Sequence, residues 1–280
     1  MKAGVPTIGS ILLVCFFTAV IHMVETLSYG ARLAGVKTRR LYLAACIFSI
    51  IALTARTANL LQAPLLGYYV DSIILINNIS ILERSFRLII LAATCGSLAA
   101  LFILPTFTNI FVYLIGSLEK SGSLGKMFLD MLHADNLLKK VFLHLGKSFG
   151  RPGLYFSLSF SHEKKIAKHI LLLYIIVASI NTVGVLSAIY AGALLPDYRL
   201  TVSQMSGMIN GFSTVILTFF IDPYASLITD HALAGKRGFP DLQALVANLI
   251  VGKIVGTLLG QLTFLPCVYF IVFATTLLKK

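Results

Sequence analysis

Four ionisable side chains lie inside segments that are otherwise apolar: Glu25, Arg56, Asp222 and Lys253. A charged group within a membrane span is costly, so it usually faces a cavity, a water-filled path or a partner of opposite charge. His22 precedes Glu25 by about one helical turn and lies on the same helix face. These residues predict a polar path or pocket at membrane depth. An ion pair between Glu25 and Arg56 that only holds two helices together would leave the same pattern.

Two polar stripes contain the two bases. At helical spacing they consist of Arg56, Asn59 and Gln62 in one segment and of Lys253, Thr257 and Gln261 in the other. A stripe of this kind inside an apolar helix favours contact with water or a polar ligand over contact with lipid. Arginine presents a planar fork of donors that suits phosphate or carboxylate, so Arg56 is the first candidate for binding an anion.

A very apolar chain carries these residues. Of its 280 residues, 58% are hydrophobic and 12% are charged, whereas about a quarter of the residues in a soluble domain are charged. Six segments have the roughly 20 apolar residues needed to cross a bilayer: 8–29, 41–61, 86–115, 166–195, 205–228 and 242–278. They do not alternate as barrel strands do. We therefore predict an all-α polytopic membrane protein, with residues 1–280 in a single integral membrane domain.

Two stretches between these segments need separate interpretation. Residues 116–165 form the one long polar connection, and apolar residues at helical spacing within it predict an amphipathic helix on the membrane surface. Residues 68–83 are apolar but interrupted by Asp71, so they are a re-entrant piece, an interfacial piece or an extension of the second span. Pro105 and Pro266 are expected to kink or break the third and sixth spans.

The basic residues predict the orientation of the chain. The net charge is +12, and Lys and Arg are concentrated in the first, third and fifth loops. The loop bases that we consider candidates for the site are Arg32, Arg39, Arg40, Lys236 and Arg237. The positive-inside rule places these loops in the cytoplasm and both termini outside. Topology and attraction to anionic membrane lipids explain the basic balance, so we expect no nucleic-acid partner.

A short internal repeat links the two ends of the chain. Residues 31–35 read ARLAG and residues 231–235 read HALAG, and the acid-to-base separation is 31 residues both from Glu25 to Arg56 and from Asp222 to Lys253. We interpret this as a duplicated helical hairpin, formed by spans 1–2 and spans 5–6. With six spans the repeat is parallel, and with one span miscounted it would be inverted.

Several catalytic motifs are missing from the sequence. It contains no P-loop, no dinucleotide fingerprint, no HExxH zinc motif and no Gly-x-Ser-x-Gly elbow. The six histidines are scattered. We therefore assign no catalytic residue and expect neither a metal nor another cofactor.

Two segments resemble a known family. Residues 24–40, VETLSYGARLAGVKTRR, and residues 55–67, ARTANLLQAPLLG, are similar to the Amj family of bacterial membrane proteins, which are alternate lipid II flippases. The later HALAGKRG segment is compatible with this family. The resemblance implies translocation of lipid II, the undecaprenyl-pyrophosphate-linked peptidoglycan precursor, across the bacterial cytoplasmic membrane. It also implies roles in cell wall biogenesis and cell shape.

The charged residues suggest how such a protein works. Arg56 or Lys253, together with the basic loops, would clamp the pyrophosphate by charge-assisted hydrogen bonds. Glu25 and Asp222 would release the bases by pairing with them, or would take up protons. Six spans make a small container for so large a head group, so a homodimer or a groove open to lipid is expected.

Three other functions fit the residues. A secondary transporter of a small anionic solute needs the same buried charges, but its central cavity would lack a lateral opening. An intramembrane enzyme acting on polyprenyl phosphates would need a nucleophile, base or metal cluster near the bases. A scaffold protein would tolerate neutralisation of both Glu25 and Arg56.

Overall fold

The computed structural model describes residues 8–76, 78–133 and 167–278. These residues are almost entirely helical and contain no strand. Six of their helical segments are long and apolar enough to cross a membrane. The predicted all-α polytopic membrane protein with six spans is therefore confirmed.

Five of the six spans are longer than the sequence suggested, and the fourth is slightly shorter. Spans 1, 2, 3, 4 and 6 are the single helices α1 (Ile8–Thr38), α2 (Leu41–Leu75), α3 (Ile79–Ser121), α5 (Lys168–Leu194) and α9 (Phe239–Leu278). The short helix α4 (Leu124–His133) follows α3. The fifth span, Pro196–Leu233, combines a 3-10 turn with α6 (Arg199–Gln204), α7 (Ser206–Ile216), a π-helical turn (Leu217–Ile221) and α8 (Asp222–Leu233).

The stretch 68–83 belongs to the spans. α2 continues as a helix to Leu75 and α3 begins at Ile79, so the part up to Leu75 extends the second span and is not re-entrant. Tyr69 and Ile73 in this extension are buried, which explains why it stays helical and packed. α3 and α9 also remain helical through Pro105 and Pro266, so neither proline ends its helix.

The long polar connection is described only in its first part. α4 packs onto the end of the bundle through Met127, which is 3% exposed and contacts a cluster formed by α1, α2 and α3. The rest of the predicted amphipathic helix lies outside the described residues.

The spans are arranged as a curved row. α2 packs against α1 and α3, α1 against α3, α3 against α9, α9 against α5, and α5 against α7 of the fifth span. α2 and the fifth span are the two ends of this row. Within the described part of the chain they share no extensive interface, and both contribute residues to the lining of one cavity.

Glycines allow the close contacts within the row. Those on α9 that face α5 follow one another at intervals of one turn: Gly252, Gly256 and Gly260. A Cβ atom on Gly256 would lie 2.6 Å from the Cβ of Ala178, so only a residue without a side chain fits there. A Cβ atom added to Gly207 or Gly211 on the fifth span would meet no described atom within 4 Å, so these two glycines make no comparably close contact with another described helix.

The structure does not confirm the duplicated hairpin. Gly35 lies inside α1, which continues to Thr38, whereas Gly235 follows the end of α8 with a φ of 72° and terminates it. α1 packs on α2, but α9 packs chiefly on α5 rather than on the fifth span. The two similar sequence segments therefore form different local structures.

The fifth span changes helix type in its second half. The π-helical turn joins α7 to α8, and Pro223 follows within the first turn of α8. A proline ring collides with the carbonyl four residues earlier in a regular α-helix. The wider turn, with its i→i+5 hydrogen bonds, relieves this collision without interrupting the span.

Candidate substrate cavity

A cavity of about 630 Å³ fills the space inside the curved row. Its lining comes from all six spans, mainly from α1, α2 and α5, with single contributions from α3 and α9 and two from the fifth span. The polar and charged lining residues are Thr18, His22, Glu25, Tyr29, Arg56, Asn59, Gln62, Tyr174, Asn181, Thr182, Asn210 and Lys253. A cavity of this size lies within the usual range of ligand pockets.

An ion pair between distant segments forms one wall. The Nζ atom of Lys253 on α9 donates to Oε2 of Glu25 on α1 over 2.6 Å. The side chain of Lys253 is 11% exposed, whereas that of Glu25 is 50% exposed because it borders the cavity. The pair therefore places a carboxylate at the cavity surface with its cation behind it.

Arg56 borders the cavity on α2 and is exposed. Glu25 pairs with Lys253, so the alternative in which Glu25 neutralises Arg56 is wrong for this structure. Among the side chains that the structure describes, no carboxylate pairs with Arg56. Its guanidinium donors are therefore available to an anion in the cavity.

Two tyrosines close one end of the cavity. The hydroxyl groups of Tyr29 and Tyr174 are hydrogen-bonded to each other, and their rings pack edge to face with centroids 6.4 Å apart. Tyr29 follows Glu25 by one helical turn, towards the end of α1. Beyond it, Ser28 and Arg32 line a second, smaller cavity of about 330 Å³ between α1, α2 and α8.

The opposite part of the cavity is lined by uncharged amides. Nε2 of Gln62 donates to Oγ1 of Thr18 over 2.8 Å. On the facing wall, the hydroxyl of Ser213 donates to the side-chain oxygen of Asn181. Asn210 lies next to it on the fifth span. This part of the cavity can donate and accept hydrogen bonds without contributing a net charge.

Ion pairs link the α1–α2 side to the fifth span beyond each end of the cavity. On the side of the first and fifth loops, Nη2 of Arg32 lies 3.5 Å from Oδ1 of Asp222. On the side of the second and fourth loops, Arg199 of α6 pairs with Asp71 of α2. These pairs connect the elements that face each other across the cavity.

The predicted site residues fall into three groups. Glu25, Arg56, Asn59, Gln62 and Lys253 border the cavity together, while Arg32 and Asp222 pair with each other beyond the tyrosines. The other five lie outside both cavities: Arg39, Arg40, Lys236, Arg237 and Gln261.

Each residue outside the cavities has a different setting. Arg39 ends α1 with a φ of 57°, and Arg40 pairs with Glu119 at the end of α3. Lys236 and Arg237 form the turn after α8, where their amides donate to the carbonyl oxygen of His231. Gln261 binds α3 instead of the cavity, because its Nε2 donates to the carbonyl oxygen of Arg87 over 2.8 Å.

The sequence analysis missed several lining residues. Tyr174 and Asn181 are seven residues apart on α5, which places them on one helix face, and Asn210 is a single amide in the fifth span. The signal that could have found them is the presence of uncharged polar side chains inside apolar spans.

The fold and the cavity define a polytopic α-helical membrane protein with a polar cavity inside its bundle of spans. A family model described as "Amj: Alternate to MurJ" matches residues 17–275. Over 265 residues the chain is 31% identical to the "Lipid II flippase Amj" of Bacillus subtilis (strain 168). The matched region covers 95% of this chain and 96% of that protein. No solved structure matches the chain. The chain belongs to the Amj family, so the resemblance seen in the sequence is confirmed.

Proposed function

We propose that this protein is a flippase that translocates lipid II across the bacterial cytoplasmic membrane. The observation that carries the proposal is Arg56 on the wall of a polar cavity lined by the spans, where no carboxylate among the described side chains pairs with it. Membership of the Amj family and the similarity to a protein named as a lipid II flippase support the choice of substrate.

Arg56 binds the pyrophosphate of the substrate. An arginine fork suits two phosphate oxygens at once, and such charge-assisted pairs are about twice as strong as neutral hydrogen bonds. Lys253 is a second cation near the same wall, but Glu25 neutralises it. When the pyrophosphate arrives, Lys253 can exchange Glu25 for the phosphate, and it returns to Glu25 when the lipid leaves.

The space between α2 and the fifth span lets the prenyl chain remain in lipid. Large apolar side chains on both elements are exposed, including Leu60 and Leu61 on α2 and Phe212 and Phe219 on the fifth span. Such residues suit contact with acyl chains beside a polar interior. This lateral gap favours a lipid substrate over a small soluble anion, which would need a closed central cavity.

The size of the cavity limits how the head group is held. Pockets of about 300–1,000 Å³ enclose drug-sized ligands, and a disaccharide with a pentapeptide is larger than these. The protein therefore holds the pyrophosphate and the part of the head group next to it, while the remainder extends through the gap. An open groove in one protomer is sufficient for this, and a homodimer is not required.

The charges at the two ends of the helical bundle indicate the topology. We place the ends that carry Arg39, Arg40, Lys236 and Arg237 in the cytoplasm, with both termini outside. These bases lie away from the cavity and attract anionic lipid to the cytoplasmic surface. The lipid then enters the cavity between α2 and the fifth span.

A liposome assay tests this function. The purified protein is reconstituted with labelled lipid II, and an externally added enzyme or quencher reports the lipid that reaches the outer leaflet. We expect movement that depends on the protein, a large loss in Arg56→Ala, and a partial loss in Arg56→Lys because lysine keeps the charge without the fork.

The matched control is Arg84→Ala. Arg84 is also an exposed arginine on a span, but it does not border the cavity. Full activity of Arg56→Ala would show that Arg56 does not clamp the pyrophosphate. Absence of lipid II movement with folded wild-type protein, with or without a proton gradient, would refute the flippase function.

A further inference from the structure

The amide-lined part of the cavity is separate from the charged part. Thr18, the partner of Gln62, lies seven residues before Glu25 on α1, which is about 10 Å along a helix. On α2, Gln62 is likewise almost two turns beyond Arg56. Four carboxamides border this region of the cavity: Asn59, Gln62, Asn181 and Asn210.

Two of these carboxamides have an oxygen that lacks a hydrogen-bond partner within the described part of the chain. These atoms are Oε1 of Gln62 and Oδ1 of Asn210, and both are buried. Among the described residues four buried side-chain atoms lack a partner, and three of them belong to cavity-lining residues, the third being Nδ1 of His22. An unsatisfied buried polar group is costly. Because Gln62 and Asn210 also line the cavity, a turn of either carboxamide towards a ligand there would supply the missing bond.

Neighbouring helices hold the carboxamides in position. Thr18 of α1 fixes Gln62 of α2, and Ser213 of the fifth span fixes Asn181 of α5. The carboxamide of Asn210 lies directly against Gly184, in the space that any side chain at position 184 would occupy. A site whose side chains are fixed before binding loses little entropy when the ligand arrives.

The chemistry of this region differs from that of the pyrophosphate clamp. Carboxamides carry both donors and acceptors and no charge, so they match hydroxyl and amide groups rather than phosphates. The sugar joined to the pyrophosphate of a lipid-linked precursor carries hydroxyl groups and an N-acetyl amide. A distance of about 10 Å along the helix is one that a pyrophosphate and its attached sugar can bridge.

We propose that Asn59, Gln62, Asn181 and Asn210 form an uncharged subsite that binds this sugar and makes the protein select glycosylated over bare polyprenyl pyrophosphate. The inference rests on the proposed flippase function and adds a specificity site to it. The clamp at Arg56 recognises what all polyprenyl pyrophosphates share, and the amide subsite recognises the glycosylated ones.

Binding to the full chain in nanodiscs tests the subsite with two probes, lipid II and undecaprenyl pyrophosphate. We expect the wild type to prefer lipid II. Asn181→Ala and Asn210→Ala should each weaken the binding of lipid II by about three- to tenfold, the effect of one or two lost hydrogen bonds. Their binding of undecaprenyl pyrophosphate should stay unchanged, whereas Arg56→Ala should weaken the binding of both lipids.

Two further variants separate recognition from folding. Asn248→Ala removes a buried amide that bonds only within α9, to the carbonyl oxygen of Ala244, and it should leave the preference for lipid II intact. Gly184→Ala removes no polar group but displaces the carboxamide of Asn210, so it should reduce the same preference. Thermal unfolding followed by circular dichroism shows that each variant is folded.

The possible outcomes distinguish failure of the sugar subsite from failure of the proposed flippase function. If the wild type binds both probes equally, or if Asn181→Ala and Asn210→Ala lose both probes to the same extent, the sugar subsite is refuted while lipid II flipping can still stand. If folded wild-type protein binds neither probe, the proposed function fails and the subsite fails with it. Loss of the preference for lipid II alone supports the subsite.

Discussion

Replacing Lys253 by methionine leaves the Glu25 carboxylate without its partner inside the bundle. The two charged groups are 2.6 Å apart, with the lysine side chain 11% exposed and the glutamate side chain 50% exposed. At this separation two unit charges attract each other by about 1.6 kcal/mol in water and by about 6 kcal/mol at an effective dielectric constant of 20. Because half of Glu25 faces the cavity, solvent screening reduces the upper figure, and we expect about 2 kcal/mol.

A double-mutant cycle measures this coupling. It compares the free energies of unfolding of the wild type, Lys253→Met, Glu25→Gln and the double variant. Unfolding in a titration with a denaturing detergent is followed by circular dichroism of the helices, since the chain contains no tryptophan for fluorescence. The sum of the two single effects predicts a free energy of unfolding for the double variant. The measured value should exceed this prediction by the coupling energy.

The ion pair between Arg40 and Glu119 is the matched control. Its side chains are 54% and 47% exposed, so its coupling should be below about 1 kcal/mol. If the coupling between Glu25 and Lys253 is no larger than that of the control, the internal pair is fully screened. The exchange of Glu25 for phosphate on Lys253 would then lose its physical basis.

Two further predictions concern packing and access. Gly256→Ala should destabilise the protein by about 1–3 kcal/mol, because the new methyl group would lie 2.6 Å from the Cβ of Ala178. Gly207→Ala, at an open position, should have little effect. Equal stabilities of the two variants in detergent unfolding would contradict the packing of α9 against α5. Replacing Asp71 and Arg199 by cysteines, after removal of the four native cysteines, should allow a cleavable bifunctional thiol reagent to tie α2 to α6. We expect this cross-link to slow lipid II movement in liposomes and its cleavage to restore the movement. Unchanged transport by fully cross-linked protein would show that these elements need not separate.

Local patterns in the sequence predicted the spans and part of the cavity. The spacing of Arg56, Asn59 and Gln62 is a property of a single helix, and the structure places all three on the cavity. The equivalent spacing on α9 predicted Gln261 at the cavity as well, and this was wrong. Gln261 lies about 12 Å further along α9 than Lys253. At that level the neighbour of α9 is α3, and Gln261 bonds to Arg87.

Pairing between helices could not be read from the sequence. Lys253 and Glu25 are 228 residues apart, and their contact depends on which spans become neighbours in the curved row. Arg56 was an equally reasonable partner for Glu25 from residue types alone. Asn181 and Asn210 were missed because a single uncharged amide costs less in a span than a charge does, so it gives a weaker signal.

The π-helical turn in the fifth span has a consequence for how the protein has evolved. Such a turn holds one residue more than the same length of α-helix, and one residue corresponds to about 100° of rotation. The half of the span that carries Asn210 can therefore pack against α5 with its own rotation. The other half carries Asp222, which pairs with Arg32, and its rotation is independent of the first. The additional residue of this turn therefore sets the angle between two surfaces of the same span. Family members that differ in length by one residue at 217–221 would keep each surface but change the angle between them.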